Sequence, residues 1–123
     1  MSEKIIEMEE KVNPIRLTDN ETGNVYELDF DRASIDFAER RGFKIREVQD
    51  YPVSLVPEMF YYAFRKNHKN VSRQKTDAIF DELGGLTPAM LDRLIALYNQ
   101  GALSHIIRDD EGEVKNSRMT VEL

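Results

Sequence analysis

Apolar residues recur at every second position in IRLTD and again in VYELDF, picking out Ile15 and Leu17, then Tyr26, Leu28 and Phe30, around the turn-forming NETGN. Period two across a turn rich in Asn and Gly predicts a β-hairpin. The loop is longer than a two-residue turn, so the pattern leaves the register open. The spacing then shifts towards that of a helix. Asp31 is placed to cap a helix over 32–41 with Ile35 and Ala38 on its apolar side, and Gly42 stands where a left-handed residue ends it.

FKIREVQD, residues 43–50, alternates weakly and predicts a third strand or an extended connection. Ser54 is then read as an N-cap, with Pro57 in the first turn of a helix running from about Leu55 to His68. Asn70 and Ser72 break that helix and start another, with Ile79, Phe80 and Leu83 at core spacing and Gly84-Gly85 as its end. Thr87-Pro88 is an N-cap followed by proline at the first helical position. From there Met90, Leu91, Leu94, Ile95, Leu97 and Tyr98 trace an apolar face towards Gly101. The fold class is α+β: an N-terminal hairpin packed on a small bundle of about four helices, with flexible acidic termini. Residues 1–12 form the N-terminal segment, 13–108 one domain and 109–123 a polar tail. Its last residues, MTVEL, alternate Met119, Val121 and Leu123 like an edge strand.

A chain of 123 residues is long enough to bury one core. It has no apolar run near the roughly 18 residues of a membrane span. The acidic start MSEKIIEMEEK lacks the positive and apolar regions of a secretory signal, which points to the cytoplasm. With no cysteine, disulfides, thiol catalysis and Cys-based zinc sites are excluded. The net charge is −6; residues 1–12 carry −2 of it and 109–123 carry −3, leaving −1 for the body. A nearly neutral body argues against a general nucleic-acid binder, which needs a broad positive field.

EMFYYAFRKNHKN, residues 58–70, is the stretch where aromatic and basic residues meet. Such a mixture suits a stacking platform for single-stranded nucleic acid, or a helix with a large core face. At 100° per residue Val56, Met59, Phe60, Ala63 and Phe64 share one arc, with Glu58, Arg65 and Lys69 opposite. Phe60 and Phe64 are therefore core. Tyr61 and Tyr62 fall on the borders, where a ring packs and its hydroxyl reaches water or a partner. Two clusters of cations remain, Arg40, Arg41, Lys44 and Arg46, and then Arg65, Lys66, Lys69, Arg73 and Lys75. If they adjoined, they would grip an acidic partner or a phosphate backbone; a solvated helix face is the commoner origin of such runs.

Catalytic and metal patterns do not assemble. His68 and His105 lack the spacing of a paired metal site, and Asp109-Asp110-Glu111-Gly112-Glu113 does not supply the alternating ligands and closing Glu of a calcium loop. Gly84-Gly85 lies between helices without a phosphate-loop motif, and no serine has a nucleophile-elbow context. The residues predict a protein without enzymatic activity and without a cofactor.

The order of NPIRLTDNETGNVYELDFDRASIDFAERRGF, EMFYYAFRKNHKNVSRQKTDAIFDEL, GGLTPAMLDRLIALYNQ and a terminal MTVEL resembles the small tail assembly chaperone-like proteins of long-tailed bacteriophages and prophages. The likeness spans about residues 13–123. It is carried by Tyr26-x-Leu28-x-Phe30 entering a helix at Asp31, the Gly42-Phe43 break and the Leu-rich last helix. The resemblance implies a module that binds the helical tape measure protein in the bacterial host cytoplasm, covers its apolar stretches, and leaves as tail tube subunits arrive. It also implies pairing with a frameshifted longer product that recruits the tube protein. Tyr61, Tyr62, Leu94, Tyr98, Val121 and Leu123 are the expected contact residues, and a homo-oligomer stays open. The alternatives are a phage nucleic-acid-associated regulator, using the two basic clusters, and a generic protein-interaction adaptor.

Overall fold

The computed structural model describes residues 11–106, 118–120 and 122–123. Its elements are β1 (Ile15–Thr18), β2 (Val25–Leu28), α1 (Arg32–Arg40), a 3-10 turn (Ile45–Glu47), α2 (Pro52–Phe64), α3 (Arg73–Leu83) and α4 (Pro88–Ile106). The strands pair antiparallel with Ile15 opposite Leu28 and Leu17 opposite Tyr26, so these four side chains share one face. Arg16 stands opposite Glu27 on the other face. The Asp19 carboxylate accepts from the Glu21 and Thr22 N–H groups and holds the loop, with the Gly23 N–H donating to the Asp19 carbonyl at 2.7 Å.

A two-stranded hairpin is marginal by itself, and here both of its flanks are laced to helices. Beside β2, the Glu27 N–H donates to His68 Nε2 at 2.9 Å and the Glu27 carbonyl accepts from Asn67 Nδ2 at 3.2 Å. Just beyond it, the Asp29 N–H donates to the Ala63 carbonyl, and Lys66 Nζ meets Asp29 Oδ2 at 2.7 Å. Ahead of β1, the Gln100 side chain accepts from the Val12 N–H and donates to the Val12 carbonyl, and Arg93 reaches the Asn13 carbonyl. Side chains thus satisfy backbone groups that a bare sheet edge would leave open.

Helix α1 begins as the sequence predicts. Asp31 Oδ1 accepts from the Ser34 N–H and Ser34 Oγ accepts from the Asp31 N–H, a reciprocal capping box. It ends with the Gly42 N–H on the Glu39 carbonyl and the Phe43 N–H on the Ala38 carbonyl. That double bond needs a left-handed residue between them, and Gly42 supplies it at φ 91°. Its effect is to turn Phe43 back into the core.

Three local expectations are corrected. Residues 43–50 form neither a strand nor an extended link: the Val48 N–H bonds to Ile45 and the Tyr51 N–H to Glu47, coiling the segment so that Val48 is buried. Helix α2 starts at Pro52, not Leu55, because the fixed φ of proline suits a first helical position; Ser54 caps nothing, and Tyr51 precedes the helix without a side-chain cap. Pro57 consequently lies in the helix interior, where it removes the partner of the Val53 carbonyl. Val53 is 90% exposed, so water can take that place. The helix also ends at Phe64, short of His68. In MTVEL, Val121 lies outside the described residues, and Met119, Thr120, Glu122 and Leu123 belong to no strand. The Asp109–Glu113 acidic run and residues 1–10 also lie outside them.

Ser72 caps α3 through the Lys75 N–H, and Thr87 Oγ1 caps α4 through the Met90 N–H, with Pro88 first in the helix. The core gathers Leu28 and Phe30 from the hairpin and its exit, Ile35 and Ala38 from α1, Phe60 and Phe64 from α2, and Leu94, Leu97 and Tyr98 from α4. Edge-to-face ring contacts run through it: Phe30 to Tyr98 at 5.0 Å, Tyr98 to Phe43 at 5.7 Å and Phe43 to Tyr62 at 5.3 Å. Within α4, Gly101 lets the helix close on the hairpin exit. A Cβ there would meet Ile35 Cδ1 at 3.0 Å and the Phe30 carbonyl oxygen at 3.1 Å.

Candidate functional site

Helix α3 packs on α2, but its other side faces the hairpin tip across open space. Lys75, Ala78, Ile79, Glu82 and Leu83 recur at the three- and four-residue intervals of one helix face. Together with Leu17, Thr18, Asp19, Asn20, Glu21 and Tyr26 they line a groove of about 570 Å³. Leu17, Tyr26, Ile79 and Leu83 form its apolar part, and Leu83 keeps 44% of its surface exposed. Leu83 is therefore not a core residue, contrary to its spacing; Thr76, two turns earlier, is the residue α3 buries completely. The rim carries Asp19, Glu21 and Glu82 against Lys75. The Glu21 and Thr22 N–H groups hold the Asp19 carboxyl on this rim below its ordinary pKa.

The expected contact residues divide. Leu94 and Tyr98 are buried, and so is Tyr62, so none of them presents a partner surface. The reason is tertiary: Phe43 and Phe37 cover the border of α2 where the Tyr62 hydroxyl was expected to reach water or a partner, with the Phe37 ring 5.9 Å from Tyr62. The Tyr62 hydroxyl donates to Glu58 Oε2 at 2.7 Å, and burial, reinforced by that carboxylate, pushes its pKa up to about 12. Tyr98 Oη is enclosed with no hydrogen-bond partner among the described residues, and the Glu39 carboxylate lies near it outside bonding geometry. Burial first and Glu39 second push this hydroxyl up as well. Tyr61 is half-buried and Leu123 is exposed, while Val121 is not described.

The two basic clusters do adjoin, though not as a continuous field. Arg41 and Arg65, the residues that close α1 and α2, converge on one ring: their guanidinium carbons lie 5.1 and 3.7 Å from the Phe37 centroid. Arg73 lies 5.9 Å from the Tyr61 ring and bonds Asp77 at 2.8 Å. Arg40 bonds Asp36, and Lys66 is spent on Asp29. Lys75 has gone to the groove rim, while Lys44 and Lys69 are exposed. His68, whose spacing from His105 offers no paired metal site, is an acceptor for β2 with its ring 5.3 Å from Tyr26. Among the described residues no group of three His, Asp or Glu side chains is placed to hold a metal ion, and no helix is long and apolar enough to cross a membrane.

Hairpin, helices and groove define a small α+β module with a charged-rimmed apolar surface. The whole chain, residues 1–123, matches the family described as Domain of unknown function (DUF5055), and the protein belongs to that family. No curated protein and no solved structure matches it. The groove was missed by sequence reasoning, which placed Leu17 and Tyr26 in the hairpin alternation and Ile79 and Leu83 at core spacing. The only local signal was the five-residue α3 face mixing Ala78, Ile79 and Leu83 with Lys75 and Glu82.

Proposed function

We propose that this protein is a non-enzymatic binding module whose hairpin–α3 groove receives an amphipathic helical segment of a partner protein. The observation that carries the reading is the groove itself: apolar Leu17, Tyr26, Ile79 and Leu83 bordered by Asp19, Glu21 and Glu82. An apolar helix stripe gains by covering that floor, and Lys or Arg beside the stripe complements the rim. In the tail assembly chaperones that the sequence resembles, the corresponding partner is the tape measure protein. The proposed setting is accordingly the bacterial cytoplasm during tail morphogenesis, with tube components as later partners.

Co-expression with tape measure fragments, followed by size-exclusion chromatography, tests the proposal. Fragments with an apolar stripe flanked by basic residues are expected to co-elute with the wild type and to be lost from Ile79→Asp. Failure of every fragment of a complete tiling set to co-elute would overturn it.

A further inference from the structure

The Phe37 surface lies apart from the groove and has a different chemistry. Arg65 stacks on the half-buried Phe37 ring at 3.7 Å and Arg41 approaches the same ring at 5.1 Å, which places the two guanidinium carbons within about 9 Å of each other. Two like charges are thus held together by an aromatic ring. Neither forms an ion pair with a carboxylate among the described residues. Asp36 bonds Arg40, Asp77 bonds Arg73, and Glu58 accepts from the Tyr62 hydroxyl, beside which Arg41 also lies. Stacking fixes a guanidinium plane and leaves its N–H edges available for forked bonds to a carboxylate, with less side-chain freedom to lose on binding.

We propose that Arg41, Arg65 and Phe37 form a docking surface for a helix of a partner protein bearing two carboxylates one turn apart. Residues at i and i+4 on a helix are neighbours about 5–6 Å apart at their Cβ atoms, a spacing that two long side chains on one ring can match. A nucleic-acid strand suits the surface less well. Duplex DNA carries a charge per about 3.4 Å along each strand, so it favours cations that recur along a track. Here two further cations of the same clusters, Arg40 and Arg73, are each paired with their own aspartate, so the positive charge does not recur as an even track.

The test is a titration of the full ¹⁵N-labelled chain followed through its arginine Nε–H signals. The probe is an alanine-based helical peptide with Glu at i and i+4; a Gln version and a thymidine oligonucleotide of equal charge are the controls. The Glu peptide is expected to move the Arg41 and Arg65 signals saturably, the Gln peptide to move neither, and the oligonucleotide to bind at least tenfold more weakly. R41K/R65K keeps the charge but not the fork, so it is expected to weaken the Glu peptide at least tenfold. Groove variant Ile79→Asp is expected to bind this peptide like the wild type, which separates the surface from the groove. Unmoved Arg41 and Arg65 signals, equal or tighter binding of the oligonucleotide, or full affinity in R41K/R65K would each overturn the proposal.

Discussion

The base and the tip of the hairpin use the same face of the same two strands in opposite ways. At the base Leu28 is completely buried, and α4 comes so close to the adjoining Phe30 backbone that a Cβ at 101 would lie 3.1 Å from the Phe30 carbonyl oxygen. At the tip Leu17 and Tyr26, a cross-strand pair two residues along from Ile15 and Leu28 on the same face, stay half-buried beside an open groove. A close approach spends its apolar surface on folding. An incomplete one leaves apolar surface for something else to cover.

The largest effect is expected from cutting the base and tip equally. Leu28→Ala removes a fully enclosed side chain and leaves a cavity, for an expected loss of about 2–5 kcal/mol in urea unfolding. Leu17→Ala opens no closed cavity, because its neighbour is already a groove, and about 1 kcal/mol is expected. Equal losses would mean that the tip is packed as tightly as the base.

Gly101→Ala attacks the close approach directly. Alanine favours a helix over glycine by about 1 kcal/mol, but the new methyl meets the Phe30 carbonyl, which is main chain and cannot swing aside. Overpacking of this kind costs about 1–3 kcal/mol, so a net loss of roughly 1 kcal/mol is expected. A gain in stability would show that α4 shifts easily along the hairpin exit.

Sequence legibility follows the same division. Elements bounded by local chemistry were readable: Asp31 with Ser34, Gly42, Ser72 and Thr87-Pro88 each make their bonds within a few residues. What depended on distant partners was not. KNHKN reads as a basic patch, yet Asn67 and His68 turn to β2 and Lys66 to Asp29 just beyond it, across about 40 positions of sequence. Tyr62 reads as a rim residue because its cover, Phe43, arrives from another element. The same blindness hid the groove: periodicity marks which side of a strand or helix is apolar, but not whether anything is there to meet it.

Alkaline pH tests the base side again, more gently. Both buried tyrosines have folded pKa values raised above the ordinary value near 10, Tyr62 to about 12, so folding favours their neutral forms. The Lys66 pKa is also raised, chiefly by its hydrogen bond to Asp29. All three contributions are present below pH 10 and are lost as pH rises through the folded values, so stability is expected to fall progressively from about pH 10 to 12. Tyrosinate absorbance should show a late phase that Tyr62→Phe diminishes and that urea shifts to lower pH. A titration unchanged by urea would contradict the burial of these hydroxyls.

Leu83→Asp should have the smallest effect on stability and the sharpest effect on binding. The side chain is already largely in water at the outer edge of the α3 face, and Gly84 ends the helix immediately after it. A surface exchange of this kind is expected to move unfolding by no more than about 0.5 kcal/mol. An aspartate at the groove mouth, however, puts a hydrated carboxylate where the proposed partner lays its apolar stripe, and covering it without a partner carries a penalty of about 1–3 kcal/mol or more. Affinity for a tape measure fragment should therefore fall at least tenfold while thermal unfolding stays near the wild type. If stability fell as far as in Leu28→Ala, Leu83 would belong to the fold, and the difference between base and tip would end at Leu17.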